Sequence, residues 1–315
     1  MRARGPTPSG CGWTGPGADR VLTSVPSREV ALLTNPVAGK GRAAKVRGRA
    51  LDRFRREGVA VRDLRGRDAA EALELARACV ADGIDTLVVC GGDGTVHLAI
   101  QALAGTTTRL GIIPAGTGND VARYFDLPRK DPDAAVGRVL AGRTRTVDLA
   151  RSGTQYFVTV LAAGFDAVVN ERANRMTWPR GQMRYHLATL AELRVFEPLP
   201  YVLQLDDREV SLEAMLVAVG NGPSFGGGLR ITDGAVLDDG FLDVVIIKPI
   251  SKPDLVRTYP RLYTGSHVRH PQYEHHLVRS VTVAAPGIVS YADGERFGPL
   301  PLTVVCAPGA LTVLS

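Results

Sequence analysis

The sequence predicts an α/β fold, with a doubly wound parallel sheet followed by a β-rich, sandwich-like domain. Apolar strand patterns alternate with helix patterns from Glu29 to Ala141, which is typical of a parallel sheet covered by helices. Two glycine-rich loops in this part each lie between a strand and a helix. After Val147 the segments become short and β-rich, which favours an antiparallel sandwich. Ligands of doubly wound sheets bind at the carboxyl ends of the strands, where these loops lie.

The composition is that of an ordinary globular enzyme. Of the 315 residues, 45% are hydrophobic and 22% are charged, and the net charge is +6. The 4 cysteines form no C-x-x-C pair, which argues against a disulfide framework or zinc ribbon and fits a cytoplasmic protein. No apolar run approaches the roughly 20 residues that cross a bilayer, so any membrane contact is expected to be peripheral. Aromatic residues make up only 6%, which disfavours nucleic-acid binding.

Changes of composition divide the chain into three regions. Residues 1–27 are rich in Gly, Pro, Ser and Thr and are predicted to be a disordered leader. Residues 28–146 form the predicted α/β domain, and residues 147–315 form the β-rich domain. Whether an edge strand of the second domain forms a homodimer is left open.

In the α/β domain each predicted strand is a short apolar run, and Asp68 is expected to cap a helix. The predicted elements are strands Glu29–Thr34, Val59–Leu64, Thr86–Cys90 and Leu110–Ile113, and helices Arg42–Arg56, Ala69–Ala81, Val96–Leu103, Asn119–Phe125 and Asp133–Ala141. In the β-rich domain, strands are predicted at Tyr156–Leu161, Tyr201–Leu205, Ala214–Val219, Leu242–Ile247, Val281–Ala285, Leu302–Cys306 and Leu311–Leu314. Helices are expected near Asp166–Arg175 and Tyr185–Phe196.

The most informative loop is Gly91-Gly92-Asp93-Gly94-Thr95, directly after a strand and directly before a helix. Glycines let the backbone turn tightly and approach a bulky anion. The N-terminus of the following helix attracts that anion with free N–H groups and its positive dipole end. The loop therefore indicates a phosphate site, with an ordinary strand–turn–helix connection as the alternative.

A second glycine loop, Pro114–Asp120 (PAGTGND), occupies the same position one strand later. Two such loops one strand apart are expected to converge on one phosphate chain. A third candidate loop runs from Asn35 to Gly41, where Lys40 could reach a phosphate, but it lacks the Walker A spacing.

These motifs together resemble the diacylglycerol kinase catalytic domain, a family that includes bacterial lipid kinases and sphingosine kinases. Asn35-Pro36 with Gly39-Lys40, then GGDGT and PAGTGND, match the family in order, spacing and strand context. The resemblance continues through Asp238-Asp239-Gly240 to Asp293-Gly294-Glu295 and covers essentially residues 29–314. It implies a soluble kinase that uses ATP and Mg²⁺ to phosphorylate diacylglycerol or a related lipid alcohol, between an ATP-binding α/β domain like that of NAD kinases and a β-rich lipid-substrate domain.

The resemblance also assigns roles to single residues. It implies Asp293 as the base that takes or orients the lipid hydroxyl proton, with Glu295 beside it; a hairpin turn is the alternative, and both can hold together. Nucleotide binding is implied for Asn35, Lys40, Gly91, Gly92, Asp93, Gly94, Thr95, Gly116, Thr117, Gly118 and Asn119. Aspartates 93, 120 and 148 are implied to hold the catalytic magnesium through water, and Asp239 to bind a second, structural one. The alternative interpretation is that Asp120 is a helix cap and Asp148 is a turn residue at a strand end.

Several alternatives stay open. An NAD kinase-like enzyme shares GGDGT but not PAGTGND. A non-catalytic nucleotide or lipid sensor would have no chemical need for the full set Asp93, Thr95, Asn119, Asp293 and Glu295. The basic stretch Lys40–Arg56 indicates either a solvated helix face or attraction to polyphosphate or an anionic membrane. The histidine-rich stretch 267–276 is expected to be surface rather than a metal site. The segment Arg172–Arg184 is either a lipid-facing flap or a plain loop.

Overall fold

The computed structural model describes residues 29–34, 42–164 and 197–315, together with residues 169, 172, 175–178, 187, 188 and 191. The leader 1–27 and the loop that contains Asn35 and Lys40 lie outside the described residues. The helices expected near 166–175 and 185–196, and the flap 172–184, lie largely outside them.

The N-terminal strands are parallel, as the sequence predicts, and the structure places them in the order β2-β1-β3-β4. Its elements are β1 Glu29–Thr34, α1 Arg42–Arg56, β2 Ala60–Arg65, α2 Ala69–Ala81, β3 Thr86–Gly91, α3 Asp93–Leu103, β4 Arg109–Pro114, α4 Asp120–Tyr124 and α5 Pro132–Ala141. Asp68 caps α2 as predicted, because its side chain accepts a hydrogen bond from the N–H of Glu71 at 2.9 Å.

Helices cover both faces of this sheet. On one face, α1 and α5 bury Phe54 and Val136 against Leu32 of β1. On the other face, α2 and α3 pack against the alternate strand residues, such as Leu33 and Val89. Burial on both sides explains why the strands read as continuous apolar runs, and the doubly wound prediction is confirmed.

One long strand joins the two halves of the molecule. The sequence predicts separate strands at 302–306 and 311–314, but the structure has a single strand, β16 Leu302–Leu314. Its register shifts between Ala307 and Leu311, where Pro308-Gly309 interrupts the apolar pattern. Its end lies parallel to β4, with Val313 beside Leu110, and it pairs with β5 Thr144–Ser152 and β13 Ser280–Ala284. Within the described residues, the result is a mixed sheet of 10 strands.

The second sheet has 6 antiparallel strands in the order β12-β11-β10-β7-β14-β15. The remaining strands of both sheets are β6 Gln155–Phe157, β7 Val160–Gly164, β8 Leu199–Leu205, β9 Arg208–Ala214, β10 Leu216–Gly220, β11 Leu242–Ile247, β12 Tyr273–Val278, β14 Val289–Ala292 and β15 Glu295–Pro299. Val217 and Val244 of this sheet pack against Leu203 and Val281 of the first sheet. The predicted β-rich sandwich is therefore confirmed.

A short helical insert between β11 and β12 is absent from the sequence predictions. It contains α6 Lys252–Thr258 and two 3₁₀ helices, Tyr259–Tyr263 and Ser266–Arg269. Ser251 caps α6 by accepting a hydrogen bond from the N–H of Asp254 at 3.4 Å. The insert escapes sequence analysis because each helix is shorter than two to three turns and Pro253 and Pro260 interrupt the pattern.

The basic helix α1 proves to be an ion-paired surface. Five of its arginines pair with nearby carboxylates: Arg47 with Asp63, Arg49 and Arg56 with Asp133, Arg53 with Glu57, and Arg55 with Asp52. Such neutralised charge favours the interpretation of this stretch as a solvated helix face.

Candidate active site

The two glycine loops are in direct contact. A Cβ placed on Gly116 would lie 2.5 Å from the Cα of Gly92, and one on Gly92 would lie 3.0 Å from the Cα of Gly116. Any side chain at either position would separate the loops. Glycine is thus required here for close backbone approach, and the expected convergence of the loops is confirmed.

The first glycine loop is shorter than its sequence suggests, because α3 begins at Asp93 rather than at Val96. Gly92 is the N-cap, and its carbonyl accepts hydrogen bonds from the N–H groups of Thr95 and Val96 at 3.0 and 3.1 Å. Asp93, Gly94 and Thr95 therefore form the first helical turn. The positive end of the α3 dipole lies at the point where the two loops meet.

Asn119 holds the second glycine loop closed. Its side-chain oxygen accepts a hydrogen bond from the N–H of Gly116 at 3.0 Å, and its amide nitrogen donates to the carbonyl of Gly116 at 2.9 Å. Its backbone is left-handed, with φ of 52°, a conformation that asparagine adopts more readily than most residues. The side chain is thus engaged within the loop and shapes it.

The half-buried carboxylate of Asp93 and the buried carboxylate of Asp120 meet beside this loop. A Cβ on Gly118 would lie 2.8 Å from Oδ2 of Asp93 and 3.5 Å from Oδ2 of Asp120. Oδ1 of Asp93 accepts a hydrogen bond from the N–H of Val121 at 3.2 Å. Burial raises the pKa of Asp93 to about 6, and the charge of Asp120 contributes to the rise.

Asp120 is bound to the second domain. Its carboxylate accepts hydrogen bonds from Arg123 and from the N–H of Gly227, each at 2.6 Å. Burial raises the pKa of Asp120, and these two donors oppose the rise. Gly227 thereby places the loop before Leu229 against the acidic pair.

Asp293 and Gly294 form the turn of the hairpin β14–β15, as the turn alternative predicts. Their φ angles of 54° and 84° are those of a type I′ turn, the form that Asp-Gly favours. Asp293 is buried, and its carboxylate accepts hydrogen bonds from the N–H of Thr159 at 2.8 Å, the Thr159 hydroxyl at 2.7 Å and the N–H of Val158 at 3.2 Å. Asp293 is therefore both a turn residue and the candidate base.

His97 is the site residue that sequence reasoning missed. Its Nδ1 lies 2.8 Å from Oδ2 of Asp293, and its side chain is 18% exposed. Burial alone lowers the pKa of His97, but the hydrogen bond to Asp293 and the charges of Asp293 and Glu295 raise it overall. The available signal was its position on α3, one helical turn after Asp93 and hence on the same face.

Glu295 lies against the first turn of α3. A Cβ on Gly94 would lie 2.7 Å from Oε1 of Glu295, and the glutamate is exposed. The carboxylate thus approaches the helix N-terminus, where negative charge is stabilised by the dipole. Glycine at 94 provides the space for it.

The other two predicted metal ligands, Asp148 and Asp239, have backbone N–H groups as partners. Asp148 is buried, and its two oxygens accept hydrogen bonds from the N–H groups of Gly240 and Gly309, each at 2.7 Å. Asp239 accepts a hydrogen bond from the N–H of Phe241 within its own turn. In the part of the chain that the structure describes, no group of three or more His, Cys, Asp or Glu is arranged to hold a metal.

The clustered histidines each have a separate partner. His267 is buried with Nε2 at 3.1 Å from the carbonyl of Ile231, while His270 contacts Asp254. His275 contacts Asp243 and His276 contacts Glu274. The prediction that this stretch lies at the surface is wrong for His267, which is buried because its ring packs beside Tyr273 and contacts the carbonyl of Ile231.

A cavity of about 690 Å³ adjoins the second glycine loop. It is lined by residues 116–119 and 126–131 together with Arg123. Its wall carries three basic residues, Arg123, Arg129 and Lys130, and two acids, Asp126 and Asp131. Its size suits a small-molecule ligand.

Two family models match the chain in succession. The model described as the diacylglycerol kinase catalytic domain matches residues 29–152, and the model described as the YegS C-terminal NAD kinase beta sandwich-like domain matches residues 159–315. A diacylglycerol kinase of Mycobacterium tuberculosis (strain ATCC 25618 / H37Rv) is 46% identical over 292 residues, which cover 91% of this chain and 94% of that protein. The chain belongs to the diacylglycerol kinase family. Membership of a kinase family implies the use of ATP.

More distant members of the diacylglycerol kinase family agree with this assignment. A diacylglycerol kinase of Bacillus subtilis (strain 168) is 26% identical over 86% of this chain and 90% of its own length. A crystal structure of a diacylglycerol kinase from Bacillus anthracis str. Sterne has a TM-score of 0.70 at 21% identity and covers 91% of this chain and 96% of its own. This structural likeness bears on the fold, and it confirms an α/β domain followed by a β sandwich. Among the described residues, no helix combines the length and apolar character needed to span a bilayer.

Proposed function

We propose that this member of the diacylglycerol kinase family transfers the γ-phosphate of Mg-ATP to the hydroxyl of a lipid alcohol, with diacylglycerol as the first candidate. One observation carries the proposal. The two glycine loops, the acidic pair Asp93 and Asp120, and the hairpin residues Asp293 and Glu295 all converge on the N-terminus of α3. Phosphate binding, metal binding and proton transfer therefore have their groups in one place, between the α/β and β-rich domains.

The nucleotide would lie along the second glycine loop. The cavity beside this loop provides a volume for it, and residues 91–95 and 116–118 allow close approach of the phosphates to the backbone. Asn119 would act by fixing the loop, because both polar atoms of its side chain already bond Gly116. Asn35 and Lys40 stay predictions as phosphate contacts.

The acidic pair fits a magnesium ion. Mg²⁺ in kinases is usually held by one or two carboxylates, water and substrate phosphates, so two aspartates suffice. The raised pKa of Asp93 shows that its negative charge is poorly compensated, and a cation would correct this. Mg²⁺ bound by Asp93 and Asp120 would neutralise charge on the transferred phosphoryl group. Asp148 would support the site from outside it, and Asp239 stays a prediction for a second magnesium.

Asp293 and Glu295 would divide the handling of the acceptor proton. Asp293 is fixed by Val158, Thr159 and His97, so it is suited to orienting groups around the acceptor hydroxyl. Glu295 is exposed beside the α3 N-terminus and can receive the proton as the oxygen–phosphorus bond forms. A lipid alcohol ionises too weakly to react without such a base.

The proposal is tested by transfer of radiolabelled γ-phosphate from Mg-ATP to a panel of micellar lipid alcohols and to NAD. We expect label in phosphatidic acid or another lipid phosphate, and its loss in Asp293→Asn and in Glu295→Gln. The matched control is Glu213→Gln, an exposed glutamate on β9, which should retain activity. Label in NAD alone would move the protein to NAD kinase activity. Absence of any transfer despite ATP binding would support a sensor.

A further inference from the structure

The helical insert between β11 and β12 exposes apolar side chains. Val256 on α6 is 50% exposed and Tyr263 on the following 3₁₀ helix is 41% exposed. Pro253 and Pro260 are exposed on the same element. Within α6 the exposed positions 253, 256 and 257 follow the i, i+3, i+4 spacing of one helical face, and Pro260, Arg261 and Tyr263 are exposed on the 3₁₀ helix that follows. The insert thus presents a short exposed strip in which apolar and basic side chains are mixed.

Positive charge borders this strip. Lys252, Arg257 and Arg261 are exposed there, and Asp254 is the single acid between residues 251 and 264. Asp254 already lies 3.2 Å from Nε2 of His270. Arg257 and Arg261 make no ion pair with any residue that the structure describes, unlike the paired arginines of α1. We name the set Lys252, Pro253, Val256, Arg257, Pro260, Arg261 and Tyr263 the basic–apolar face.

The basic–apolar face is built onto the active site. Behind it, the N–H of Arg230 donates a hydrogen bond to the carbonyl of Leu262 at 2.8 Å, and Leu262 and Phe225 both pack against the buried cluster that contains Ile231. The turn that starts at Phe225 contains Gly227, whose N–H binds the carboxylate of Asp120. The face and the acidic pair are therefore joined through one short segment, residues 225–231.

We infer that the basic–apolar face docks the enzyme on an anionic phospholipid bilayer. Exposed arginines are attracted to anionic headgroups, and Val256 and Tyr263 can enter the boundary between headgroups and acyl chains. A second copy of the chain fits less well, because an isologous contact would place Arg257 and Arg261 close to their own symmetry mates. The inference rests on the proposed lipid kinase function for its purpose, since the substrate then lies in the same bilayer.

The test is sedimentation of the full chain with phosphatidylcholine vesicles, with and without phosphatidylglycerol, in the absence of diacylglycerol and ATP. We expect binding to the anionic vesicles that weakens as salt rises. The pair Arg257→Gln and Arg261→Gln should weaken binding on the order of twenty-fold, since each basic residue near an anionic surface contributes roughly five-fold. The double variant Val256→Ser with Tyr263→Ser should weaken vesicle binding at low and high salt alike.

Matched controls distinguish binding through this face from non-specific electrostatic and hydrophobic binding. Arg77→Gln with Arg208→Gln removes two exposed arginines elsewhere, and Val202→Ser removes a side chain that is 44% exposed on β8. Both controls should bind like the wild type. Equal loss in the controls, or full binding by the face variants, overturns the inference. Loss of a dimer in size-exclusion chromatography without any vesicle binding assigns the face to a second copy and overturns it as well.

Activity distinguishes failure of this inference from failure of the proposed function. The face variants should phosphorylate a water-soluble short-chain diacylglycerol at the wild-type rate, because no residue of the face belongs to the site. Vesicle binding through the face by a protein that phosphorylates no acceptor would refute the kinase proposal alone. Full activity on vesicle-embedded diacylglycerol by variants of the face would refute the docking surface alone.

Discussion

The backbones of Gly92 and Gly116 lie in contact, so that each glycine occupies the place where the other would carry a Cβ. This contact joins the N-terminus of α3 to the loop before α4. Because the two loops follow neighbouring parallel strands, their approach is a consequence of the strand order. It determines the space in which phosphates would bind.

Gly116→Ala should separate the two loops. The new methyl would lie 2.5 Å from the Cα of Gly92, and we expect a loss of about 1–3 kcal/mol in the free energy of unfolding, together with weaker ATP binding. Urea denaturation and nucleotide titration measure both effects. The control is Gly137→Ala on α5, where no atom lies within 4 Å and helix propensity predicts a gain of about 0.5–1 kcal/mol. Wild-type stability of Gly116→Ala would contradict the contact.

Asp93→Asn should stabilise the metal-free protein while it removes activity. Burial raises the folded-state pKa of Asp93 to about 6, above its unfolded value of about 3.9, so the folded state binds the proton more tightly. Stability is therefore lost as pH rises between these values, and the full penalty is present above about pH 6. We expect the variant to exceed the wild type by about 1–3 kcal/mol near neutral pH in EDTA.

The advantage of Asp93→Asn should disappear as pH falls below about 4, because the wild-type carboxyl then becomes protonated in the unfolded state as well as in the folded one. Urea denaturation across this range measures it. The control is Asp68→Asn at the exposed N-cap of α2, where both residues cap well and stability should change by less than about 0.5 kcal/mol. A variant that is less stable than the wild type at neutral pH would refute the conclusion that burial of the Asp93 charge is unfavourable.

His97→Gln should reveal a pH-dependent contribution from the pair with Asp293. The folded-state pKa of His97 is raised, so the stability that the pair provides is fully present below the unfolded pKa of about 6.5 and is lost as pH rises through the folded value. The difference in unfolding free energy between wild type and variant should shrink as pH rises above the unfolded pKa of about 6.5. His276→Gln, on edge strand β12, serves as the control. A difference that grows with pH would contradict the assignment.

Asn119→Ala and Asn119→Gly separate backbone strain from side-chain bonding. Both variants lose the two hydrogen bonds to Gly116 and should bind ATP weakly. Glycine accepts the left-handed conformation without penalty, so Asn119→Gly should be more stable than Asn119→Ala by about 1 kcal/mol. Thermal and urea unfolding measure this difference. Equal stability of the two variants would show that the loop rearranges.

Local patterns were sufficient for most of the N-terminal elements. The predicted α2 matches Ala69–Ala81, because a capping aspartate and a glycine stop define it from nearby residues. The start of α3 was predicted three residues late, since glycine and aspartate are poor helix formers in isolation. In the structure Gly92 caps the helix and the charge of Asp93 is favoured in its first turn.

Long-range pairing accounts for the elements that the sequence did not predict. Pro308-Gly309 reads as a break, yet β16 continues through a bulge because β5 and β13 pair with it. At this bulge the N–H of Gly309 donates to Asp148, a residue 161 positions away. The pair of His97 and Asp293 spans 196 positions. No local window contains both members of such pairs.

The sequence by itself determined the positions of the two glycine loops, because glycines, capping residues and apolar runs act through neighbouring residues. It identified these loops, the hairpin at Asp293 and the order of an α/β domain followed by a sandwich. Only the tertiary structure decided which acids meet. Strand order and register bring Asp93, Asp120 and Asp293 to the same helix end, and they direct Asp148 to backbone N–H groups elsewhere. These aspartates carry the same carboxylate group but differ in role. Burial and nearby hydrogen-bond donors, rather than residue type, determine the charge and the partners of each.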